Sequence, residues 1–175
     1  MNKKNWVSLM LAGSLLMVPA MAWGTTRPQP LDQRVHHELL MLPYYTLFDT
    51  LSYRVEGNKV ILSGEVTRPA LKRDAENVVK RITGVTSVEN QIEVLPLSSF
   101  DNQTRLAELR AIYGNSALFR YGLGPNAPIR IIVRNGHVTL EGFVDSRTDK
   151  NIAGLAANTV SGVFSVTNNL VVKSS

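Results

Sequence analysis

The sequence contains an internal duplication. Gly64 and Gly142 lie at the centres of two matching stretches, residues 60–66 and 138–144, which align without a gap at an offset of 78 residues. Further pairs at this offset are Gly84 and Gly162, Asn90 and Asn168, and Val94 and Val172. Because a repeat recurs as one supersecondary unit, the two halves must fold into the same elements. Each half therefore checks the secondary structure assigned to the other.

The first residues predict a secretory signal peptide. Lys3 and Lys4 precede an apolar run that ends at Pro19, and Ala20-Met21-Ala22 resembles a cleavage site. The run is shorter than the ~20 apolar residues that a spanning helix needs. We expect residues 1–22 to be removed, residues 23–30 to form a flexible leader, and the remainder to be periplasmic or secreted without a transmembrane span.

Charge and cysteine content exclude several classes of function. Loss of the two lysines in the signal peptide lowers the formal charge from +5 to +3, which gives no support for nucleic-acid binding. The chain has no cysteine, so disulfides, thiolate catalysis, cysteine-ligated metals and lipid attachment through a cysteine are excluded. Each half must therefore be stabilised by its own apolar core, near the lower size limit at which a core suffices.

Hydrophobic periodicity predicts the same five elements in each half. The spacing of apolar residues predicts helices, while short alternating segments around turns with Gly and Asn predict hairpins. For the first half the predicted order is helix 31–42, strand 51–55, strand 60–66, a helix with Pro69 in its first turn that Gly84 terminates, and strand 85–94. For the second it is helix 101–113, strand 129–133, strand 138–144, helix 148–160 and strand 164–172, with Asp101 as an N-cap.

The predicted fold class is α+β. A right-handed strand-helix-strand crossover makes the last strand parallel to the second, so each half has a three-stranded mixed sheet covered by two helices on one face. We assign the domains to residues 31–95 and 100–175, joined by the linker 96–99. Such a short linker predicts a nearly fixed pair, and the uncovered sheet face could receive the partner domain or a ligand.

These motifs resemble the BON, or transport-associated, domain. The resemblance is carried by residues 133–144 and 162–172, with weaker counterparts at 55–66 and 84–94, and two tandem copies cover nearly all of the chain after the signal peptide. It implies a helix-strand-strand-helix-strand fold. It also implies a non-catalytic cell-envelope module that binds phospholipid membranes or supports envelope integrity under osmotic stress.

Residue patterns predict neither an enzyme nor a cofactor or metal site. Gly64 and Gly142 do not stand in a phosphate-binding loop motif, and a strand end gives them a structural role. His36 and His37 are adjacent, so their rings would point about 100° apart on a helix and could not converge on a metal. His137 lies in a predicted hairpin turn.

Two helices of the second half contain the candidate contact residues for a membrane or partner. In the last helix, Ile152 and Leu155 project away from the alanine-rich core stripe, beside Arg147 and Lys150, which could pair with phosphate head groups. In the helix 101–113 we expect Leu106 and Leu109 in the core. The remaining candidates, at a membrane-facing edge, are Arg105, Arg110, Ile112 and Tyr113. For Ile152 and Leu155 we favour a structural role, covering the other domain or the chain terminus, over insertion into lipid, because the linker is short.

Two functions follow as hypotheses. The first is non-catalytic binding of a basic and apolar surface to anionic phospholipid or another envelope polymer, in support of osmotic-stress tolerance. The alternative is a protein-interaction or chaperone-like module that uses the open sheet face to hold another envelope protein. Binding to anionic vesicles discriminates between them.

Overall fold

The computed structural model describes residues 29–124 and 126–173. The predicted signal peptide, and all but the last two residues of the predicted leader, lie outside the described residues. Within the described part, no helix is long and apolar enough to cross a membrane.

Both halves have the predicted order of elements. The first contains α1 (Leu31–Leu40), β1 (Thr50–Glu56), β2 (Lys59–Val66), α2 (Pro69–Lys80), β3 (Ser87–Asn90) and β4 (Glu93–Val94). The second contains α3 (Ser99–Tyr113), a 3-10 turn (Phe119–Gly122), β5 (Ile129–Arg134), β6 (His137–Val144), α4 (Arg147–Asn158), β7 (Ser165–Asn168) and β8 (Val171–Val172). The α+β class and the tandem duplication are therefore confirmed.

Each sheet is mixed, as predicted from the crossover. β2 is central: it runs antiparallel to β1 and parallel to β3 and β4. β6 holds the same place between β5 and the pair β7 and β8. Corresponding glycines occupy the same register, since Leu51 lies opposite Gly64 and Ile129 lies opposite Gly142. The repeat offset is thus kept in the pairing of the strands.

The last strand of each half is broken, whereas the sequence predicted it as continuous. Asn90 lies at the break: its side-chain amide donates to the carbonyl of Lys72 in α2 at 2.9 Å, and its Oδ1 accepts from the Ile92 N–H at 3.1 Å. Asn168 repeats both bonds, to the Lys150 carbonyl at 2.7 Å and from the Leu170 N–H at 3.2 Å. The asparagine thus ties the interruption to the preceding helix.

A separate apolar core lies between each sheet and its two helices. The first contains eleven buried residues: Val35, Leu39, Leu42, Val60, Leu62, Val66, Leu71, Ala75, Val79, Ile82 and Ile92. The second contains Ile112, Leu118, Tyr121, Ile129, Ile131, Val133, Val138, Leu140, Val144, Ala153, Ala157 and Leu170. Leu47 and Phe48 of the first half pack against this second core. The cores are therefore not fully independent.

The connector between α1 and β1, residues 41–49, docks on the second half. The Ile131 N–H of β5 donates to the Leu47 carbonyl at 2.8 Å, so the connector pairs with the open edge of this strand. Arg130 donates to the Thr46 carbonyl at 2.9 Å and lies over the Tyr45 ring, 4.6 Å from its centroid. An edge strand leaves unpaired backbone groups, which this contact partly satisfies.

Polar contacts also join the helix-free sides of the two sheets. Arg134 pairs with Glu65 and, at 2.6 Å, with Glu93, while Thr50 donates to Glu141 at 3.0 Å. Ile61 and Ile132 are buried on this side, since each alternates with the residues that face the helices. The open sheet face expected from the sequence is therefore partly occupied by the partner half.

Candidate functional site

Helix α3 directs polar side chains toward the interior of the second half. Its buried positions follow helical spacing and are Asp101, Thr104, Arg105, Glu108 and Ile112. Residues at this spacing share one face of a helix, and in a small domain that face is ordinarily apolar. The predicted orientation, with Leu106 in the core, is wrong: Leu106 is 46% exposed, while Leu109 is half-buried.

Two of the buried polar residues fix α3 to the β5–β6 hairpin. Asp101 accepts the N–H groups of Asn135 and Gly136 at 2.9 and 2.8 Å, and it is therefore not the N-cap that the sequence predicted. Ser98 caps the helix instead, accepting from the Asp101 N–H at 3.1 Å. Arg105 donates to the Val133 carbonyl at 2.6 Å. These charge-assisted bonds replace apolar packing as the reason for this orientation.

Glu108 is a buried carboxyl on the same face. It is 0% exposed, and among the described residues neither of its carboxylate oxygens has a hydrogen-bond donor. Burial disfavours the charged form and raises the pKa of Glu108 from its ordinary 4.5 to about 7. The packing of the inner side of α3 is therefore most favourable when Glu108 is protonated.

The outer side of α3 is correspondingly apolar. Phe100 and Leu106 are 44% and 46% exposed, and Phe164, which follows α4, is 72% exposed. The Phe100 and Phe164 rings stack with centroids 6.4 Å apart. Phe100, Leu106 and Arg110 also line a groove of about 370 Å³ between α3 and Ser161. We call the surface formed by Phe100, Leu106, Arg110 and Phe164 the α3 face.

Positive charge is concentrated in the same half. Residues 23–96 contain nine basic and nine acidic side chains, whereas residues 97–175 contain eight basic and five acidic ones. Three of those five acids, Asp101, Glu108 and Asp149, are buried. The surface of the second half is thus more basic than its composition indicates, which favours contact with an anionic partner.

Arg105 and Ile112 do not lie on the surface predicted for them. Arg105 is buried through its bonds to α3 and β5, and Ile112 is part of the second core. Tyr113 is half-buried, its hydroxyl donates to the Ile129 carbonyl at 2.6 Å, and burial raises its pKa to about 12. Of the four candidates on this helix, Arg110 is exposed and lies on the α3 face.

The candidates on α4 form a second group. Arg147 and Lys150 line a groove of about 640 Å³ beside the broken last strand. Leu155 is 69% exposed, whereas Ile152 is half-buried against the core and therefore does not project into solvent. This groove shares no lining residue with the groove that contains Arg110.

The sequence interpretation missed Phe100 and Phe164. No local signal pointed to these two residues, because the spacing of Asp101, Arg105 and Glu108 places three charged residues on one stripe of α3. A stripe of that kind is ordinarily assigned to solvent, so Phe100 on the other side would be assigned to the core. The hydrogen bonds with the hairpin turn reverse that assignment.

No metal centre is formed by the described residues: within ranges 29–124 and 126–173, no three His, Asp or Glu side chains are grouped to hold an ion. His36 instead lies 6.2 Å from the Tyr53 ring, and His137 Nδ1 lies 2.8 Å from Ser165 Oγ at the end of the hairpin.

The fold and this surface define a class: a duplicated α+β protein with one small sheet per unit and an exposed apolar and basic helix face in the second. Comparison with known families then gives the family. The chain belongs to the BON domain family, whose sequence profile matches it twice, over residues 48–96 and 108–174.

Individual relatives are more distant. The chain is 28% identical over 131 residues to osmotically-inducible protein Y of Escherichia coli (strain K12), an alignment that covers 70% of this chain and 62% of that protein. Among solved structures, it is similar to the C-terminal domain of CdsD, a structural protein of the type III secretion system of Chlamydia trachomatis. That likeness, at 13% identity and a TM-score of 0.30 over 83% of this chain and 98% of the other, is too low to support conclusions about function.

Proposed function

We propose that the protein is a non-catalytic binding protein of the cell envelope, and that the α3 face attaches it to anionic phospholipid surfaces. The observation that carries this proposal is the orientation of α3, which buries Asp101, Arg105 and Glu108 and exposes Phe100 and Leu106. Exposed apolar side chains grouped on one surface are typical of a contact site.

The chemistry of the α3 face favours lipid as the partner. Phe100, Leu106 and Phe164 can enter the boundary between head groups and acyl chains, where apolar area is removed from water. Arg110 borders them and can pair with a phosphate, which contributes ~1 kcal/mol for a well-placed basic residue near an anionic bilayer. A surplus of basic side chains in this half, with three of its five acids buried, adds a longer-range attraction.

The proposed setting is the periplasm or the exterior, with a role in osmotic-stress tolerance. It is supported by the predicted signal peptide and by the name of the osmotically inducible relative. The chain aligns with 62% of that relative's length, so the role is proposed for this chain and not transferred.

Vesicle co-sedimentation of residues 23–175 tests the proposal. We expect binding to vesicles of phosphatidylcholine with phosphatidylglycerol, little binding to phosphatidylcholine alone, and weakening with added salt. The variant Leu106→Ser/Arg110→Glu should bind at least about tenfold less tightly, since burial of one large apolar side chain alone contributes ~1.5–3 kcal/mol.

The α4 group provides a matched control. Leu155→Ser/Arg147→Glu makes the same two changes on another exposed surface, and we expect its affinity to stay within about threefold of the parent, an effect of net charge alone. A loss confined to this control would assign the contact to α4. Absence of binding to every vesicle, with a folded protein, would reject the lipid proposal.

A further inference from the structure

The groove beside α3 has a counterpart in the first half with a different lining. It lies between α1 and the residues that follow α2, and is lined by Arg34, His37, Glu38, Arg81 and Thr83, among others. Thr83 and Ser161, which lines the α3 groove, are paired by the 78-residue offset. The two grooves therefore occupy equivalent places in the repeat, one basic and one apolar.

We propose that this basic groove, defined by Arg34, His37 and Arg81, binds a phosphate group. The proposal concerns the first half of the chain and does not depend on membrane contact by the α3 face.

The two arginines of the basic groove are available to a ligand. Within the described part of the chain, neither Arg34 nor Arg81 forms an ion pair, whereas Arg54, Lys59 and Lys80 pair with glutamates at 2.8, 2.6 and 2.5 Å. Acidic and basic residues are equal in number in this half, so unpaired arginines do not follow from a shortage of acids.

Arg34 carries a second sign of an absent acceptor. Its Nε atom is buried, and the described residues provide it with no hydrogen-bond partner. A buried donor without an acceptor is costly, and a small movement of the Arg34 side chain toward an anion in the groove would remove that cost. The outer end of the side chain stays close to the loop after α2, since a Cβ added to Gly84 would lie 3.7 Å from Arg34 Nη2.

The donor set suits a phosphate better than a carboxylate. A guanidinium can donate two parallel hydrogen bonds to two oxygens of one anion, and Arg34 and Arg81 approach from different elements. With His37 as a third donor, the set can reach more oxygens than the two of a carboxylate. The groove volume of about 340 Å³ lies in the range of small-ligand sites, roughly 300–1,000 Å³.

Glu38 limits the charge of the ligand. Its carboxylate lines the same groove, which leaves one more positive than negative charge when His37 is neutral. This balance fits a phosphodiester or singly charged inorganic phosphate. Both sources share the same recognition chemistry, a lipid head group in one case and a free phosphate in the other.

Nuclear magnetic resonance titration of residues 23–175 with inorganic phosphate, at ionic strength held constant with chloride, tests the site. We expect saturable shifts of amides in residues 34–38 and 81–84. Arg34→Gln/Arg81→Gln should raise the dissociation constant at least about tenfold, because each removes a charge-assisted donor. Since Arg34 also contacts the loop, Arg81→Gln alone, on an exposed side chain, should give an intermediate loss of phosphate affinity, with the amide signals of residues outside the groove unchanged.

Lys72→Gln/Arg73→Gln is the matched control, because it removes two positive charges from α2 away from the groove, and its phosphate affinity should stay within about twofold of the parent. If this control lost as much phosphate affinity as Arg34→Gln/Arg81→Gln, or if the amide shifts did not saturate with phosphate, the proposal would be overturned. Leu106→Ser/Arg110→Glu, by contrast, should leave phosphate binding unchanged.

A vesicle arm distinguishes the two sources. These vesicles contain phosphatidylglycerol, a phosphodiester, and the arm is run in the Leu106→Ser/Arg110→Glu background, which removes the vesicle contact proposed for the α3 face. If Arg34→Gln/Arg81→Gln then abolishes the remaining vesicle binding along with phosphate binding, the ligand is a head group. If phosphate binding is lost and the remaining vesicle binding is unchanged, the ligand is a free phosphate.

Discussion

Two glycines retained at the repeat offset act through the backbone and not through packing of a side chain. Gly64 and Gly142 have φ angles of 123° and 105°, a region that side-chain-bearing residues rarely adopt. A Cβ at Gly64 would lie 2.2 Å from the Thr50 carbonyl oxygen, and one at Gly142 would lie 1.9 Å from that of Pro128. The glycines therefore permit the edge strand to approach the central strand, and a side chain at either position would clash with the edge strand.

Substitution of Gly64 tests this account. Gly64→Ala adds both a backbone penalty of ~1–2 kcal/mol and a steric clash that separates β1 from β2, so we expect the free energy of unfolding to fall by more than ~2 kcal/mol. Gly84→Ala isolates the backbone penalty, since its φ is 100° and the nearest atom to a Cβ there is Arg34 Nη2 at 3.7 Å, an ordinary contact. Urea unfolding followed by circular dichroism measures both; equal losses would show that the close approach is unimportant.

At the scale of the element, α3 differs from the other helices because polar contacts determine its orientation. α2 buries Leu71, Ala75 and Val79, an apolar stripe that the sequence predicts directly. α3 instead buries charged residues that bond the β5–β6 turn. One consequence is a basic and apolar outer surface.

The same contrast explains what could be predicted from the sequence. The order of elements and the sheet topology followed from turn residues, apolar spacing and the crossover rule, all of which are local or topological. The orientation of α3 could not follow, because Asp101 and Arg105 on one stripe and Leu106 and Leu109 on another both have helical spacing. The acceptors and donors that decide between them, in residues 133–136, are about thirty positions away along the chain.

Glu108 makes the stability of this element depend on pH. Its pKa is raised from 4.5 to about 7, so the folded state binds its proton more tightly than the unfolded state. The contribution of Glu108 to stability is therefore most favourable below pH 4.5, declines as the pH rises toward 7, and stays at its lowest value above that.

Glu108→Gln removes this dependence, because a neutral amide of similar shape does not ionise. We expect the variant and the parent to be similar in stability near pH 4.5, and the variant to be more stable above pH 7 by up to ~3 kcal/mol. Urea unfolding of both proteins across this range gives the difference, in which other titrating groups cancel. If the difference in unfolding free energy between variant and parent did not change with pH, the pKa of Glu108 would be the same in the folded and unfolded states, which contradicts this prediction.

At the scale of the whole molecule, duplication has produced two halves that share parts. The connector of the first half supplies Leu47 and Phe48 to the second core and pairs Leu47 with the β5 edge. Asp49, at the end of the connector, is 0% exposed and accepts from the N–H and hydroxyl groups of both Thr46 and Thr67. These bonds hold the connector to its own half while it contacts the other.

This sharing predicts that a substitution before β1 destabilises the second sheet. Leu47→Ala removes a partly buried side chain from the second core. We expect the free energy of unfolding to fall by ~2 kcal/mol and hydrogen exchange of amides in β5 to become faster. Leu51→Ala, only four residues later, alters a side chain that packs on the first core and should accelerate exchange mainly in β1 and β2. Hydrogen exchange measured by mass spectrometry reports the two sheets separately. If Leu47→Ala left hydrogen exchange in β5 unchanged and accelerated it in β1 alone, the connector would stabilise only the first half. The two BON units would then be in contact but independently stable.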